Sequence, residues 1–305
     1  MLSALAALTA LSLWLWTPDL SREQLEEKYL AAPADMMELG PWRLHVRDSG
    51  VPANSRLATP VLMLHGFGAS LHSWETWAQG LVPQRRVIRL DLPGSGLSPP
   101  DPATDYRDAR AIDMILALMD HLGVERVTVV GHSMGGRIAW TFAAQHPQRV
   151  HKLVLVAPDG YASPRFGYGK QVEAPAMLGV MRHVLPRPLL HANLEKAYAQ
   201  ADALNESTVS RYHDLIRAPG ARQAMLDRLR QTVLIPPESA LRQIRAPTLL
   251  LWGESDAMIP LANAHDFLQA IPGSRLATLP AVGHLPQEEA PGASLRLVLA
   301  FLGDD

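Results

Sequence analysis

No cysteine occurs in the 305 residues. Disulfides, thiolate metal sites and a cysteine nucleophile are therefore excluded, and serine, histidine and carboxylate chemistry remain. Nor does charge of either sign dominate. Lys and Arg number 28 against 30 Asp and Glu, a formal net charge of −2, so no cationic surplus exists to neutralise phosphates and nucleic acid is not an expected partner. Charged residues make up only 19% of the chain against 48% hydrophobic, the opposite of a disordered composition. The 12 histidines show no metal-ligand spacing with carboxylates, and internal repeats are missing; no metal and no cofactor is expected.

One long apolar run is present, at the start: MLSALAALTALSLWLW, Met1 to Trp16, free of charged side chains and closed by Thr17, Pro18 and Asp19. A spanning helix needs roughly 17 to 25 apolar residues, so the run sits at the short limit. A secretory signal would place Lys or Arg before it and a small-x-small site after it, and neither stands there. Trp14 and Trp16 suit a membrane interface, and SREQLEEKYL reads as a capped helix leaving it. The expectation is an uncleaved transmembrane anchor in residues 1–17, membrane association and a cell-envelope location, with no contribution to chemistry. A removed signal, a cytoplasmic protein, or an apolar helix docked on the catalytic domain or a partner subunit are the alternatives; the oligomeric state is left open.

From Met36 onward, short β-branched or Leu-rich runs alternate with helical stretches, which predicts an α/β class with a mostly parallel sheet flanked by helices. Predicted strands are Arg43 to Asp48, Pro60 to Leu64, Arg86 to Asp91, Arg126 to Val130, Lys152 to Val156, Thr248 to Trp252 and Ser274 to Leu279. The runs VLMLHG, VTVVGH, LVLVAP and LLLWGE are almost continuously apolar, as central strands buried on both faces are. Between about 160 and 235 the strand pattern gives way to Pro-punctuated helix rich in Met, Leu and Ala, and it resumes at Thr248. One domain over 18–305 with an inserted helical lid fits this better than two domains.

Gly131-His132-Ser133-Met134-Gly135 matches G-x-S-x-G directly after the strand RVTVV and before the helical GRIAWTFAAQHP. That strand-turn-helix context is what a nucleophile elbow requires: the serine sits in a strained turn, and small neighbours let strand and helix approach. Ser133 is the expected nucleophile. A serine hydroxyl needs a base to accept its proton, and the base needs an orienting carboxylate, both downstream in the chain order of this elbow. After LLLWG come Glu254 and Asp256, of which Asp256 is the chosen acid, with Asp159 in APDG and Glu254 as rivals. The base is His284, in the loop after the last predicted strand; His132, fixed beside the nucleophile, is read as packed or hydrogen-bonded. Two backbone N–H donors for an oxyanion are expected from Met134 and from Phe67, the latter flanked by Gly66 and Gly68. Met177, Leu178 and Met181 are candidate liners of the substrate pocket, and Arg137 is either a substrate-acid binder or a salt-bridge partner.

HGFGAS, DLPGSGLSP, GHSMGG, LLLWGESD and VGHLPQEE stand in the order seen in α/β-hydrolase-fold proteins, and over about residues 36–305 the chain resembles that superfamily. The spelling is most similar to bacterial carboxylesterases, lipase-like enzymes and C–C bond hydrolases of ring-fission products. The resemblance implies the fold and the triad Ser133, Asp256 and His284. Serine at the elbow departs from haloalkane dehalogenases and epoxide hydrolases, which place Asp there. The leading expectation is a serine hydrolase cleaving small-molecule or lipid-like carboxylic esters through an acyl-enzyme; the alternative is C–C bond hydrolysis of meta-cleavage products.

Overall fold

Alternation decides how the central strands are buried. In the computed structural model, which describes residues 15–53, 58–163, 167–171 and 176–303, β3 (Val61–Leu64) sends Leu62 and Leu64 into one hydrophobic cluster and Val61 and Met63 into another. The same division holds for β6 (Val150–Val156) and β7 (Thr248–Gly253), where Leu153, Leu155, Leu250 and Trp252 face one side and Val154, Val156, Leu249 and Leu251 the other. Each of these strands is apolar on both faces because helices cover both.

The remaining strands are β1 (Met36–Leu39), β2 (Trp42–Asp48), β4 (Val87–Leu90), β5 (Val127–His132) and β8 (Arg275–Leu279). They complete an eight-stranded sheet in the order β1-β2-β4-β3-β5-β6-β7-β8. β1 pairs antiparallel with β2 and β2 with β4, while every later pairing is parallel. In such a sheet the carboxyl ends of the parallel strands share one edge, and ligand sites form outside it. The loops after β3, β4, β5, β6, β7 and β8 therefore converge. The seven strands predicted from sequence are present with small shifts of end; β1 was not foreseen, because MMEL offers only a short run without alternation.

Between β6 and β7 the described chain is helical, with helices at Arg187–Glu195, Glu206–Ile216 and Ala221–Gln231. Asn205 caps the second by accepting Thr208 N–H at 2.9 Å, and the turn Pro219-Gly220, with Gly220 at φ +79°, divides it from the third. The first of these helices stops at Glu195, and irregular chain with one short 3-10 turn at Ala201–Ala203 leads to Asn205.

The transmembrane helix expected at the N-terminus is a correction. Among the described residues no helix is long and apolar enough to cross a membrane. Met1–Trp14 lie outside the described residues. From Leu15 the chain packs on the protein: Thr17 N–H donates to His183 O at 2.8 Å, and the helix Arg22–Tyr29, started by a Ser21/Gln24 capping box, buries Leu25 against Leu97, Leu215, Ala218 and Ala221.

Candidate active site

Ser133 occupies the turn between β5 and the helix Met134–Gln145 with φ 52° and ψ −119°, a backbone conformation that L-residues adopt only under constraint. The constraint is close packing. A Cβ at Gly131 would lie 2.4 Å from Gly135 O, and one at Gly135 would lie 2.4 Å from Leu64 O, so strand, elbow and helix meet at distances only glycine allows. Ser133 N–H donates to Val156 O, and Ser133 O accepts from Arg137 N–H and Asp159 N–H, each at 3.0 Å. The hydroxyl has no hydrogen-bond partner among the described residues.

After β7, Asp256 is buried and its two oxygens divide their work. Oδ1 accepts Met258 N–H at 2.8 Å and Ile259 N–H at 2.9 Å, and Oδ2 lies 2.7 Å from His284 Nδ1. With Oδ2 accepting, the His284 proton sits on Nδ1 and Nε2 is left as the acceptor. The histidine loop is held from the other side: His284 N–H donates to Ala197 O at 2.7 Å, and His284 O accepts His132 Nε2–H at 2.9 Å. Burial, reinforced by nearby His284, holds the His132 pKa well below the usual histidine range, so His132 is a neutral spacer.

The rival acids are engaged elsewhere. Asp159 accepts Arg137 Nη1–H at 2.7 Å, and Glu254 accepts the Thr278 hydroxyl at 2.7 Å. Burial raises the Asp159 pKa although Arg137 opposes it. Arg137 is itself closed, with Nε 2.9 Å from Asp108 and Nη1 2.7 Å from Asp159. Burial works against its charge, and the two carboxylates more than restore it.

Phe67 follows β3 in a turn where a Cβ at Gly66 would meet the His132 ring at 2.7 Å and Gly68 has φ +68°. Neither Phe67 N–H nor Met134 N–H is given to a protein acceptor among the described residues, so both are available beside the elbow. This loop is fixed from below by residues that sequence reasoning did not single out. His65 donates Nδ1–H to Gly66 O at 2.8 Å and accepts Leu92 N–H at 3.0 Å. Asp91, fully buried, accepts Leu71 N–H at 2.7 Å, Leu97 N–H at 2.9 Å and His45 Nδ1–H at 2.7 Å. Burial opposes its charge, yet His45 holds the carboxyl well below the usual range. DLPGSG marks Asp91 as a turn residue, while nothing in the sequence marks His45 as its partner.

Glu288 and Glu289 were also missed. Glu289 accepts Gly283, Ala199 and Gln200 N–H at 2.6, 2.9 and 2.8 Å, tying the histidine loop to the insertion. Glu288 accepts the Tyr198 and Tyr212 hydroxyls at 3.0 and 2.9 Å and pairs with Arg211 at 3.2 Å. Two consecutive glutamates after HLPQ are the only trace of this in the sequence. Of the candidate liners, Met181 packs, half-buried, against a cluster that includes Ala69, Leu185 and Tyr212; the side chains of Met177 and Leu178 lie outside the described residues. No group of His, Asp and Glu capable of holding a metal occurs among the described residues.

A family profile described as alpha/beta hydrolase fold matches residues 59–291. A relative from Pseudomonas putida, 2-hydroxy-6-oxononadienedioate/2-hydroxy-6-oxononatrienedioate hydrolase 2, is 32% identical over 276 residues, 85% of this chain and 91% of that protein. Among solved structures, a meta-cleavage product hydrolase from Pseudomonas fluorescens IP01 superposes with a TM-score of 0.74 at 21% identity, covering 89% of this chain and 99% of its own. A bacterial membrane phospholipase A superposes with a TM-score of 0.75 at 24% identity, covering 99% and 96%. At these identities the structural likenesses establish the fold alone.

Proposed function

Since the chain belongs to the α/β-hydrolase family, we propose that it is a serine hydrolase of carboxylic esters acting through Ser133, His284 and Asp256. In this reading Ser133 Oγ attacks the ester carbonyl while His284 Nε2 takes its proton, and Asp256 keeps the other imidazole proton on Nδ1. The carbonyl oxygen, now negative, is met by Phe67 and Met134 N–H. His284 then protonates the departing alkoxide, and a water activated by the same nitrogen releases the acid from the acyl-enzyme. The observation that carries the chemistry is the strained Ser133 elbow flanked by two unpaired N–H groups, with an Asp-oriented histidine on the adjoining loop.

The relatives' names favour a second reading, C–C bond hydrolysis, with the same nucleophile and base. A dioate substrate brings carboxylates that want buried cations. Here Arg137 is neutralised by Asp108 and Asp159 and Arg211 by Glu288, which is why esters come first. Arg228 is the cation left to the second reading: buried, it gives one N–H to Pro93 O at 2.6 Å and lies over Tyr106, with no carboxylate paired to it among the described residues. The test is a chain-length series of p-nitrophenyl esters beside a ring-fission diketone. Turnover of esters with the diketone untouched supports the first reading; diketone cleavage whose KM rises on Arg228→Gln supports the second and overturns the first.

A further inference from the structure

The segment Trp16–Tyr29 touches no member of the triad, yet its contacts converge on the loop that carries Phe67. Three routes run between them. In the first, Arg22 Nη1–H donates to Leu97 O at 3.1 Å; Leu97 N–H donates to Asp91, and the other oxygen of Asp91 receives Leu71 N–H, four residues past Phe67. In the second, Asp19 pairs with buried Arg222 at 2.6 Å at the start of the helix Ala221–Gln231, and one turn on, Met225 closes the space over Gly68. In the third, Thr17 Oγ1 accepts Leu185 N–H at 3.1 Å, and Leu185 packs in the same cluster as Ala69. Leu25, 2% exposed, locks the first two routes together, because its cluster contains Leu97 from the loop after β4 and Leu215, Ala218 and Ala221 from the insertion.

We propose that residues 16–29 are a strap that positions the Phe67 oxyanion donor by clamping the insertion onto the β3 and β4 loops, with Asp19, Arg22 and Leu25 as positioning residues. Phe67 sits between two glycines on an exposed turn and makes no backbone hydrogen bond of its own, so its direction is set by what presses on Gly68, Ala69 and Leu71. All three are reached from the strap. An oxyanion donor acts on the transition state and little on bound substrate, so a displaced donor lowers kcat and leaves KM nearly unchanged.

The proposal rests on the serine reading of the site, and the experiment separates the two. Full-length Asp19→Asn and Leu25→Ala, with Leu25→Val as the milder change should Leu25→Ala fail to fold, are assayed well below their unfolding temperatures. Two quantities are read: the rate at which a fluorophosphonate modifies Ser133, and kcat and KM for a short ester. The expected result is a slowing of labelling and of kcat by about tenfold, within what a displaced catalytic group costs, with KM within twofold of wild type and Asp19→Glu restoring the rate. The solvent-facing strap variant Glu27→Ala keeps the wild-type labelling rate. Labelling and kcat within twofold of wild type in folded Asp19→Asn and Leu25 variants would overturn the strap. A wild-type protein that takes no label would sink the serine reading, and the strap with it.

Discussion

Replacing Asp256 by Asn tests the proposed chemistry through a single atom. The side chain is held by three hydrogen bonds: Oδ1 takes Met258 and Ile259 N–H, and Oδ2 takes the proton on His284 Nδ1. An amide has one oxygen, and the two backbone donors claim it. Its NH2 group then faces His284 Nδ1, which must become an acceptor, so the ring proton moves to Nε2, the nitrogen that has to receive the Ser133 proton. The opposite flip would aim NH2 at two N–H groups and is worse. A triad held in the wrong tautomer loses about 10⁴ in kcat, or roughly 5.4 kcal/mol of transition-state stabilisation. Folding is nearly spared, since both backbone bonds survive and one hydrogen bond reverses direction between the same two side chains, a change of about 1 kcal/mol. Ester turnover measured with thermal unfolding on the same sample checks both halves. An Asp256→Asn protein within tenfold of wild-type kcat would refute the assignment of this carboxylate.

Ser133→Ala should abolish ester turnover and fluorophosphonate labelling while circular dichroism stays native, because one half-buried hydroxyl without a hydrogen-bond partner among the described residues is removed from a fold held by the glycines around it. Asp159→Asn should cost less than tenfold in kcat, since Arg137 retains Asp108 and His284 retains Asp256; a larger loss than for Asp256→Asn would move the acid to the loop after β6. Burial lowers His72 from 6.5 to about 4, against the pull of Asp91. The unfolded chain therefore binds the extra proton between those values, so stability is complete above about pH 6.5 and falls as the pH drops toward about 4. Buried His65 and His132 add slope of the same sign, so denaturant midpoints against pH should show a slope that His72→Gln makes shallower without abolishing it; an unchanged slope in the variant would place the titration elsewhere.

What could be read in advance was whatever the chain must do locally. A buried parallel strand has to be apolar on both faces, so VTVVGH and LLLWGE declared themselves, and the elbow has to be glycine-flanked, so GHSMGG did too. Asp256 and His284 were legible because each follows a legible strand. The contacts that fix the site depend instead on the return of distant chain. His45 reaches Asp91 only because β2 pairs antiparallel with β4, and neither residue carries a local pattern that announces it. Glu289 caps Gly283 locally, but it ties the histidine loop to the insertion only because Ala199 and Gln200 return to it from some 90 positions away. The N-terminal run misled for the same reason: Trp16 reads as an interfacial tryptophan beside an apolar stretch, whereas in the fold it stacks on His183 with ring centroids 5.1 Å apart. Composition places such a residue against something apolar or aromatic, and whether that is lipid or protein is decided by where Val184 and Leu185 lie, some 170 positions on in sequence.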